Sequence, residues 1–401
     1  MTVTILPGIP KGTVPAPPSK SMAHRLLLCA GLAAGESRVL GLEESEDVAA
    51  TLDCLRALGA DWTREGDALR VRGTDPRRFD GAAPLPCRES GSTLRFCLPL
   101  CLLSGAEARL TCAGRLPERP LTVYEDLCRA RGLRLARRGP EVLVRGPLTA
   151  GEFTLPGDVS SQFASGLLFA LPLLPEDSRL RLLPPVESRS YIDLTLSALR
   201  EFGVTAEWES ETLLRVPGGQ RYSPREVRVE GDWSNAAFFR AMEAPVTGLD
   251  PESGQGDRVC EAYFAALRAG AGPLDLSDCP DLGPVLFAYA ALHGGGRFTG
   301  TARLRLKESD RASAMAEELA PFGVRCVLED NAVTVLPGAL HAPVRPLEGH
   351  NDHRIVMALS VLCVALGGTI RGAEAVRKSY PGFFDRLREL GIEVRTDAMD
   401  Q

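Results

Sequence analysis

Two kinds of hydrophobic segment alternate along the chain. The first is apolar on every face and starts on small polar or charged residues. Its copies are "SKSMAHRLLLCAGLA" from Ser19, "ESGSTLRFCLPLCLL" from Glu89, "SSQFASGLLFALPLL" from Ser160, "GDWSNAAFFRAM" from Gly231, "PDLGPVLFAYAAL" from Pro280 and "NDHRIVMALSVLCVAL" from Asn351. A helix that is apolar all round is a buried helix. The second kind is amphipathic and ends in glycine before a short strand-like run, as in "DVAATLDCLRALGADW", "YIDLTLSALREFGVTAE" and "FFDRLRELGIEV". The closing glycines are Gly59, Gly132, Gly203, Gly270, Gly323 and Gly391, most of them about seventy residues apart. "RVCEAYFAALRAGAG", which ends near Gly270, is a degenerate copy, and the interval from Gly270 to Gly323 is the short one.

A buried helix, an outer helix and strands, repeated six times, predict an α/β fold built on an internal repeat. The period is long for an open solenoid, so two closed domains of three units each fit better. The break falls near Val229–Gly231, with Pro15–Pro18 as the matching crossing at the front. Within the first unit, Ser21 can cap a helix over Met22–Ala33 that Gly35 stops. Lys20 and Arg25 then sit at a helix N-terminus, where a cation is unfavourable unless an anion joins it.

The 401 residues carry 44% apolar and 24% charged side chains, ordinary for a globular protein, and a net charge of −6. Nothing global favours nucleic acid, so any anion site is local. Most of the 11 cysteines lie in apolar runs and none forms a metal-type Cys-x-x-Cys pair. This pattern implies buried reduced thiols and a cytoplasmic location. The start "MTVTILPGIPKGT" does not read as a signal peptide, and the longest apolar run, Ile355 to Leu366, is too short to span a bilayer.

If the buried helices share one orientation, their starts converge on a cleft between the domains. The residues collected there are Ser19, Lys20, Ser21, Arg25, Ser90–Thr93, Arg95, Ser160–Gln162, Asp281 and Asp352–Arg354. Loops add Arg119, Lys307, Glu308, Arg311 and Lys378. Taken singly, each piece reads as a helix cap, a capping box with Ser309 near the cap, a satisfied histidine or a solvated loop charge. Together they collect more cations than carboxylates in an acidic chain. That points to small polyanions, with carboxylates, a His and a Lys available for proton transfer. His350 and His353 have the wrong company for a metal site.

The motifs "PPSKSMAHR", "ESGSTLR", "LPERPL", "DVSSQFASGLL", "SYIDLTL", "GDWSNAAFF", "CPDLGPVL", "LKESDR", "NDHR" and "RKSYPGFFD", in this order, resemble the 5-enolpyruvylshikimate-3-phosphate synthases. The resemblance covers almost the whole chain. It implies two domains of three βαβαββ-like units, 15–229 and 1–14 with 230–401, and an active site in the cleft between them. It implies transfer of the carboxyvinyl group of phosphoenolpyruvate to the 5-hydroxyl of shikimate 3-phosphate, with no metal or organic cofactor. By resemblance, shikimate 3-phosphate is held by Lys20, Ser21, Arg25, Ser160, Ser161, Gln162, Ser188, Tyr191, Asp281 and Lys307. Phosphoenolpyruvate is held by Lys20, Gly91, Arg119, Gln162, Arg311, His353, Arg354 and Lys378. Asp281 is expected to serve the hydroxyl and Glu308 the methylene, with Lys20 aiding both. The expected partners are these two small molecules, with no nucleic acid and no membrane, for a monomer. Glu89 stands where better-known members have Asn, Ser92 where Thr is frequent and Arg303 where a substrate-binding Asn is expected; neither Glu89 nor Arg303 receives a role.

A UDP-N-acetylglucosamine enolpyruvyl transferase shares the implied fold. That family places a reactive Cys five residues before the Arg of its loop motif; here Gly114 holds that spacing, and Cys112 belongs to an apolar strand. A non-catalytic polyanion binder on the same scaffold would lack Lys20, Asp281 or Glu308, and all three are present.

Overall fold

The computed structural model describes residues 1–397. Its chain divides into two compact units, Lys20–Glu230 and Met1–Ser19 with Gly231 onward.

In the Lys20–Glu230 unit the buried helices are α1 (Lys20–Leu32), α3 (Gly91–Cys101) and α5 (Ser161–Ala170), alternating with α2 (Glu46–Ala57), α4 (Thr122–Ala130) and α6 (Arg189–Glu201). Every residue of α5 except Gln162 is buried, as its all-apolar pattern requires. The outer helix α4 turns an apolar stripe inward and charges outward: it buries Val123, Tyr124, Leu127 and Cys128 and no charged residue. The Tyr124 hydroxyl lies 2.8 Å from the backbone oxygen of Arg95 and 2.9 Å from that of Phe163, tying α4 to both buried neighbours.

The three sheets of this unit have one plan. An edge strand runs parallel to its neighbour, and two antiparallel strands complete the sheet. Leu85–Arg88 pairs parallel with Glu107–Cys112, which pairs antiparallel with Glu141–Arg145, which pairs with Arg134–Arg138. Glu152–Pro156 opens the second sheet in the same way. In the third, the parallel edge Glu226–Arg228 comes from the far end of the unit and pairs with Glu36–Leu40. That return closes the unit on itself.

The other unit holds α7 (Trp233–Ala241), α8 (Cys260–Arg268), α9 (Gly283–Leu292), α10 (Arg311–Leu319), α11 (His353–Leu366) and α12 (Phe383–Glu389). Two of its sheets share the same plan. In one of them Thr2–Ile5 lies between Gly368–Arg371 and Val394–Asp397, so the chain's start is a central strand. The degenerate copy is degenerate in its sheet as well: Val14–Pro15 and Val246–Thr247 form a two-stranded pair.

That short pair corrects the expected crossing. Val14 and Ala16 donate to Pro245 and Thr247 at 3.0 and 2.8 Å, and the Asp232 amide donates to Pro17 at 2.8 Å. The proline run is a paired edge segment, and the chain leaves this unit only after Ser19. A second correction concerns α1, which begins at Lys20 and not Met22, so Ser21 lies inside its first turn. Ser309 does lie next to the cap of α10, which is Asp310, accepting from the Ser313 amide at 3.1 Å. The Ser309 hydroxyl donates to Asp352 at 3.0 Å.

Candidate active site

In the Lys20–Glu230 unit the predicted residues gather at the starts of α1, α3, α5 and α6. Lys20 is paired with Asp47 at 2.8 Å, and both side chains are largely covered. Arg25 is buried under the start of α6. It donates to the backbone oxygens of Ser21 at 2.7 Å and Tyr191 at 2.8 Å, and through Nε to the Thr195 hydroxyl at 2.9 Å. Burial draws the Arg25 guanidinium down to about 10, which still leaves it cationic at neutral pH. Ser188 precedes α6 in the left-handed region at φ 54° and is buried.

A line of buried groups joins the first turns of α1 to the start of α3. His24 Nδ1 lies 2.7 Å from the Thr51 hydroxyl, Thr51 lies 2.7 Å from Thr93, and Thr93 donates to the Ser90 hydroxyl at 2.8 Å. Burial, then the charges of Lys20 and Arg25, hold His24 well below the usual histidine range, so it is a neutral ring in this line. Ser90 in turn caps α3 by accepting from the Thr93 amide at 3.2 Å. Ser160 caps α5, accepting from the Gln162 amide at 3.3 Å, and Ser161 is buried behind it. The Gln162 amide group bridges α3 and α5: its oxygen accepts from Arg95 at 2.8 Å and its nitrogen donates to Ser92 at 2.9 Å.

Gly91 is explained by the groups that lie over it. A Cβ there would stand 2.5 Å from Nη1 of Arg119 and 2.9 Å from Nη1 of Arg95. Two guanidinium groups therefore lie against a bare helix start, the arrangement an anionic group needs. Both obstructing groups are the ends of flexible side chains, so Gly91→Ala is expected to fold normally and to displace them. The expected result is a rise of about tenfold in the Michaelis constant for phosphoenolpyruvate, the scale of one charge-assisted hydrogen bond. The resemblance also implies that glyphosate inhibits in competition with phosphoenolpyruvate, and that inhibition is expected to weaken in parallel. Steady-state kinetics of the variant with an unchanged inhibition constant would leave Gly91 a packing role only.

In the other unit Asp281, Lys307, Glu308, Asp352 and Arg354 form one ionic cluster around Arg311, whose side chain is only 1% exposed. Arg311 donates through Nε to Asp352 at 2.8 Å, through Nη1 to Asp281 at 2.9 Å and through Nη2 to Glu308 at 2.8 Å. Burial opposes its charge, but the carboxylates of Asp352, Glu308 and Asp281 more than offset this and raise it further. Asp281 also meets Lys307 and Arg354, each at 3.1 Å. Burial lowers the Lys307 ammonium; Asp281 counters it, and Arg311 and Arg303 add to it. Arg303 is itself buried and donates to the Ser277 backbone oxygen at 2.5 Å.

The "NDHR" segment is held from both sides. His350 and Asn351 are both left-handed, at φ 49° and 51°, a costly conformation for residues with side chains. Lys378 donates to the Asn351 backbone oxygen at 2.8 Å. His350 Nε2 lies 3.3 Å from the buried Glu318, whose hydrogen bond raises the His350 ring. Asp352 caps α11, accepting from the Arg354 amide at 2.9 Å, and His353 is buried as the first residue of that helix. Ligand atoms of Glu317, Glu318 and His350 lie within 4.8 Å of one another, but the Glu318 carboxylate is also bound by Arg345 and by the Glu348 amide.

One functional candidate carries no mark in the sequence pattern, and a second is marked only as part of a helix start. Asp47 lies in the first turn of an amphipathic helix, where an acid is ordinary; it is set apart by being buried. Asp352 reads as part of a helix start, but nothing local announces a fully buried carboxylate bound to Arg311 and Ser309. Cys112 is a buried strand residue whose thiol is pushed up to about 12 by burial, the opposite of an activated nucleophile. Among the described residues no helix is long and apolar enough to cross a membrane.

Comparison with known proteins agrees along the whole length. The family model for EPSP synthase (3-phosphoshikimate 1-carboxyvinyltransferase) matches residues 8–259 and 262–387. A 3-phosphoshikimate 1-carboxyvinyltransferase of Clostridium kluyveri is 36% identical over 419 residues, covering 98% of each chain. One from Clostridium perfringens is 36% identical over 416 residues, covering 97% of this chain and 98% of its own. Among solved structures, EPSP synthase from Acinetobacter baumannii superposes with a TM-score of 0.79 at 24% identity, over 98% of this chain and 100% of the other. The enolpyruvyl transferase NikO from Streptomyces tendae gives 0.75 at 18% identity, over 98% of each chain; at these identities both speak for the fold. With the family model matched from residue 8 to 387 and relatives above 30% identity at full length, this chain belongs to the EPSP synthase (3-phosphoshikimate 1-carboxyvinyltransferase) family.

Proposed function

We propose that the chain transfers the carboxyvinyl group of phosphoenolpyruvate to the 5-hydroxyl of shikimate 3-phosphate and releases phosphate. The observation that carries this most directly is Asp281, a carboxylate set among Lys307, Arg311 and Arg354, with Glu308 on another arm of the same arginine. Proton acceptors placed among cations suit a reaction between two anions in which protons must move. Asp281 takes the proton of the 5-hydroxyl as its oxygen bonds to C2 of phosphoenolpyruvate. Glu308 delivers a proton to C3, giving a tetrahedral intermediate. Glu308 then takes a proton back from the C3 methyl as the C2–O bond to phosphate breaks and the double bond re-forms, and the proton held by Asp281 leaves with the phosphate. Lys20 aids these transfers and balances the developing charge, with Asp47 fixing its ammonium.

Shikimate 3-phosphate is assigned to Lys20, Ser21, Arg25, Ser160, Ser161, Gln162, Ser188, Tyr191, Asp281 and Lys307. Phosphoenolpyruvate is assigned to Lys20, Gly91, Arg119, Gln162, Arg311, His353, Arg354 and Lys378. The chemistry asks for oriented anions and proton transfer and calls on neither metal nor organic cofactor. Free cysteines, buried except for the half-buried Cys326, fit a reducing compartment, and we place the protein in the cytoplasm as a monomer. Purified protein is expected to release phosphate from phosphoenolpyruvate with shikimate 3-phosphate and not with UDP-N-acetylglucosamine. Turnover of the nucleotide sugar alone would overturn the assignment.

A further inference from the structure

Glu89 stands on the last residues before α3, and its carboxylate lies against Gly114. A Cβ on Gly114 would be 2.4 Å from Cδ and 2.6 Å from either oxygen of Glu89, and Gly114 is left-handed at φ 53°. Gly91, two residues after Glu89, receives Arg119 in the same manner, with Nη1 at 2.5 Å from its missing Cβ. The two contacts are reciprocal. The segment before α3 sends a carboxylate onto a glycine of the 113–119 loop, and the loop sends a guanidinium back onto a glycine of α3.

The backbone between these points is short and tied. Ala113 donates to the Arg88 oxygen at 2.6 Å, where strand Leu85–Arg88 ends with Arg88 left-handed at φ 51°. A single 3₁₀ turn, Leu116–Glu118, then leads to Arg119, whose amide donates to Leu116 at 3.2 Å. Arg137 holds the far end of the loop, donating to the Arg119 backbone oxygen at 3.0 Å, and the Glu89–Gly114 contact holds the near end, so the two together bound where Arg119 emerges.

We propose that Glu89 is a positioning residue for Arg119: seated on the bare Cα of Gly114, it fixes the 113–119 loop so that the Arg119 guanidinium lies over Gly91. This gives Glu89 a role that its half-buried position and its charge, the wrong sign for an anion site, do not suggest alone. It also explains why residue 114 carries no side chain.

The inference rests on the enolpyruvyl-transfer reading for its kinetic arm. Glu89→Ala and Gly114→Ala are each expected to raise the Michaelis constant for phosphoenolpyruvate by about tenfold, the scale of one charge-assisted hydrogen bond. The Michaelis constant for shikimate 3-phosphate and kcat should move far less. Glu89→Gln, which keeps the shape, should recover most of the loss. The double variant Glu89→Ala/Gly114→Ala should be no worse than Gly114→Ala alone, which loses the same contact and also strains the left-handed backbone at φ 53°. Multiplying effects in the double variant, or equal changes in all three constants, would overturn the proposal. A second arm needs no turnover: amide hydrogen exchange across residues 113–119 should speed up in Glu89→Ala, the variant that leaves the left-handed backbone of Gly114 untouched. Unchanged exchange overturns the proposal even in an active enzyme. A parent protein without turnover counts against the reaction alone, and the exchange arm still decides the role of Glu89.

Discussion

Asp281→Asn and Glu308→Gln are each expected to lower kcat by about 10²- to 10⁴-fold, the range for a positioned acid or base. Acceptor binding should weaken much less. Both replacements keep the shape of the side chain and at least one oxygen to accept from Arg311, so the cluster around it need not collapse. What they remove is the ability to hold a proton transiently. Asp281 is the more exposed to a second effect, because Lys307 and Arg354 also lean on its charge. Losing that charge leaves surplus positive charge, which favours anion binding. That gain offsets part of the lost acceptor contact, so the Michaelis constants in Asp281→Asn should change little while kcat drops. Stopped-flow and steady-state phosphate release would separate the two. Turnover within about threefold of the parent would remove either residue from the proton-transfer scheme.

Much of this site is legible in the sequence because buried helices leave so little choice. A helix that must be apolar along its whole length shows its polar residues only at its start. Ser160–Gln162, Ser90–Ser92 and Asp352–Arg354 therefore stand out against the apolar runs beside them. The amphipathic helices hide their functional residues for the converse reason. Asp47 reads as one more outward acid of "EDVAATLDC", yet it is buried against Lys20. The boundary at the front misleads because prolines signal a linker, and an edge pair of two residues has no periodicity to find. Cap positions shift by a residue or two where several polar side chains stand together: in "SKS" Ser21 could have capped α1, but the helix starts at Lys20 and takes Ser21 into its first turn.

The residue pattern does not carry the way charges are shared. In the sequence, Arg311 is a phosphoenolpyruvate ligand among many. In the structure each of its donor nitrogens meets a carboxylate, which makes it the organiser of Asp281 and Glu308 as well as a candidate anion contact. The same holds for Gly91, whose need for glycine comes from Arg119 and Arg95 rather than from its own backbone.

Arg311→Met is expected to cost about 3–5 kcal/mol of stability, the range for breaking a buried ion pair by removing one partner. The reason is the company it leaves behind. Asp352 is fully buried, and without Arg311 its carboxylate is left to the Ser309 hydroxyl and the Arg354 amide. Asp281 still has Lys307 and Arg354 and is the lesser concern. Arg311→Lys keeps the charge but offers one ammonium where three nitrogens reach three carboxylates, so it should lie between parent and Met in urea midpoint. Both variants should lose activity by more than their stability explains, since Asp281 and Glu308 lose their common support. The double variant Arg311→Met/Asp352→Leu tests the cause. Removing the stranded charge should restore part of the stability and none of the turnover, a coupling that independent sites would not show. If Arg311→Met matched the parent in urea, the three carboxylates would be satisfied without it, and its place at the centre of the cluster would be incidental.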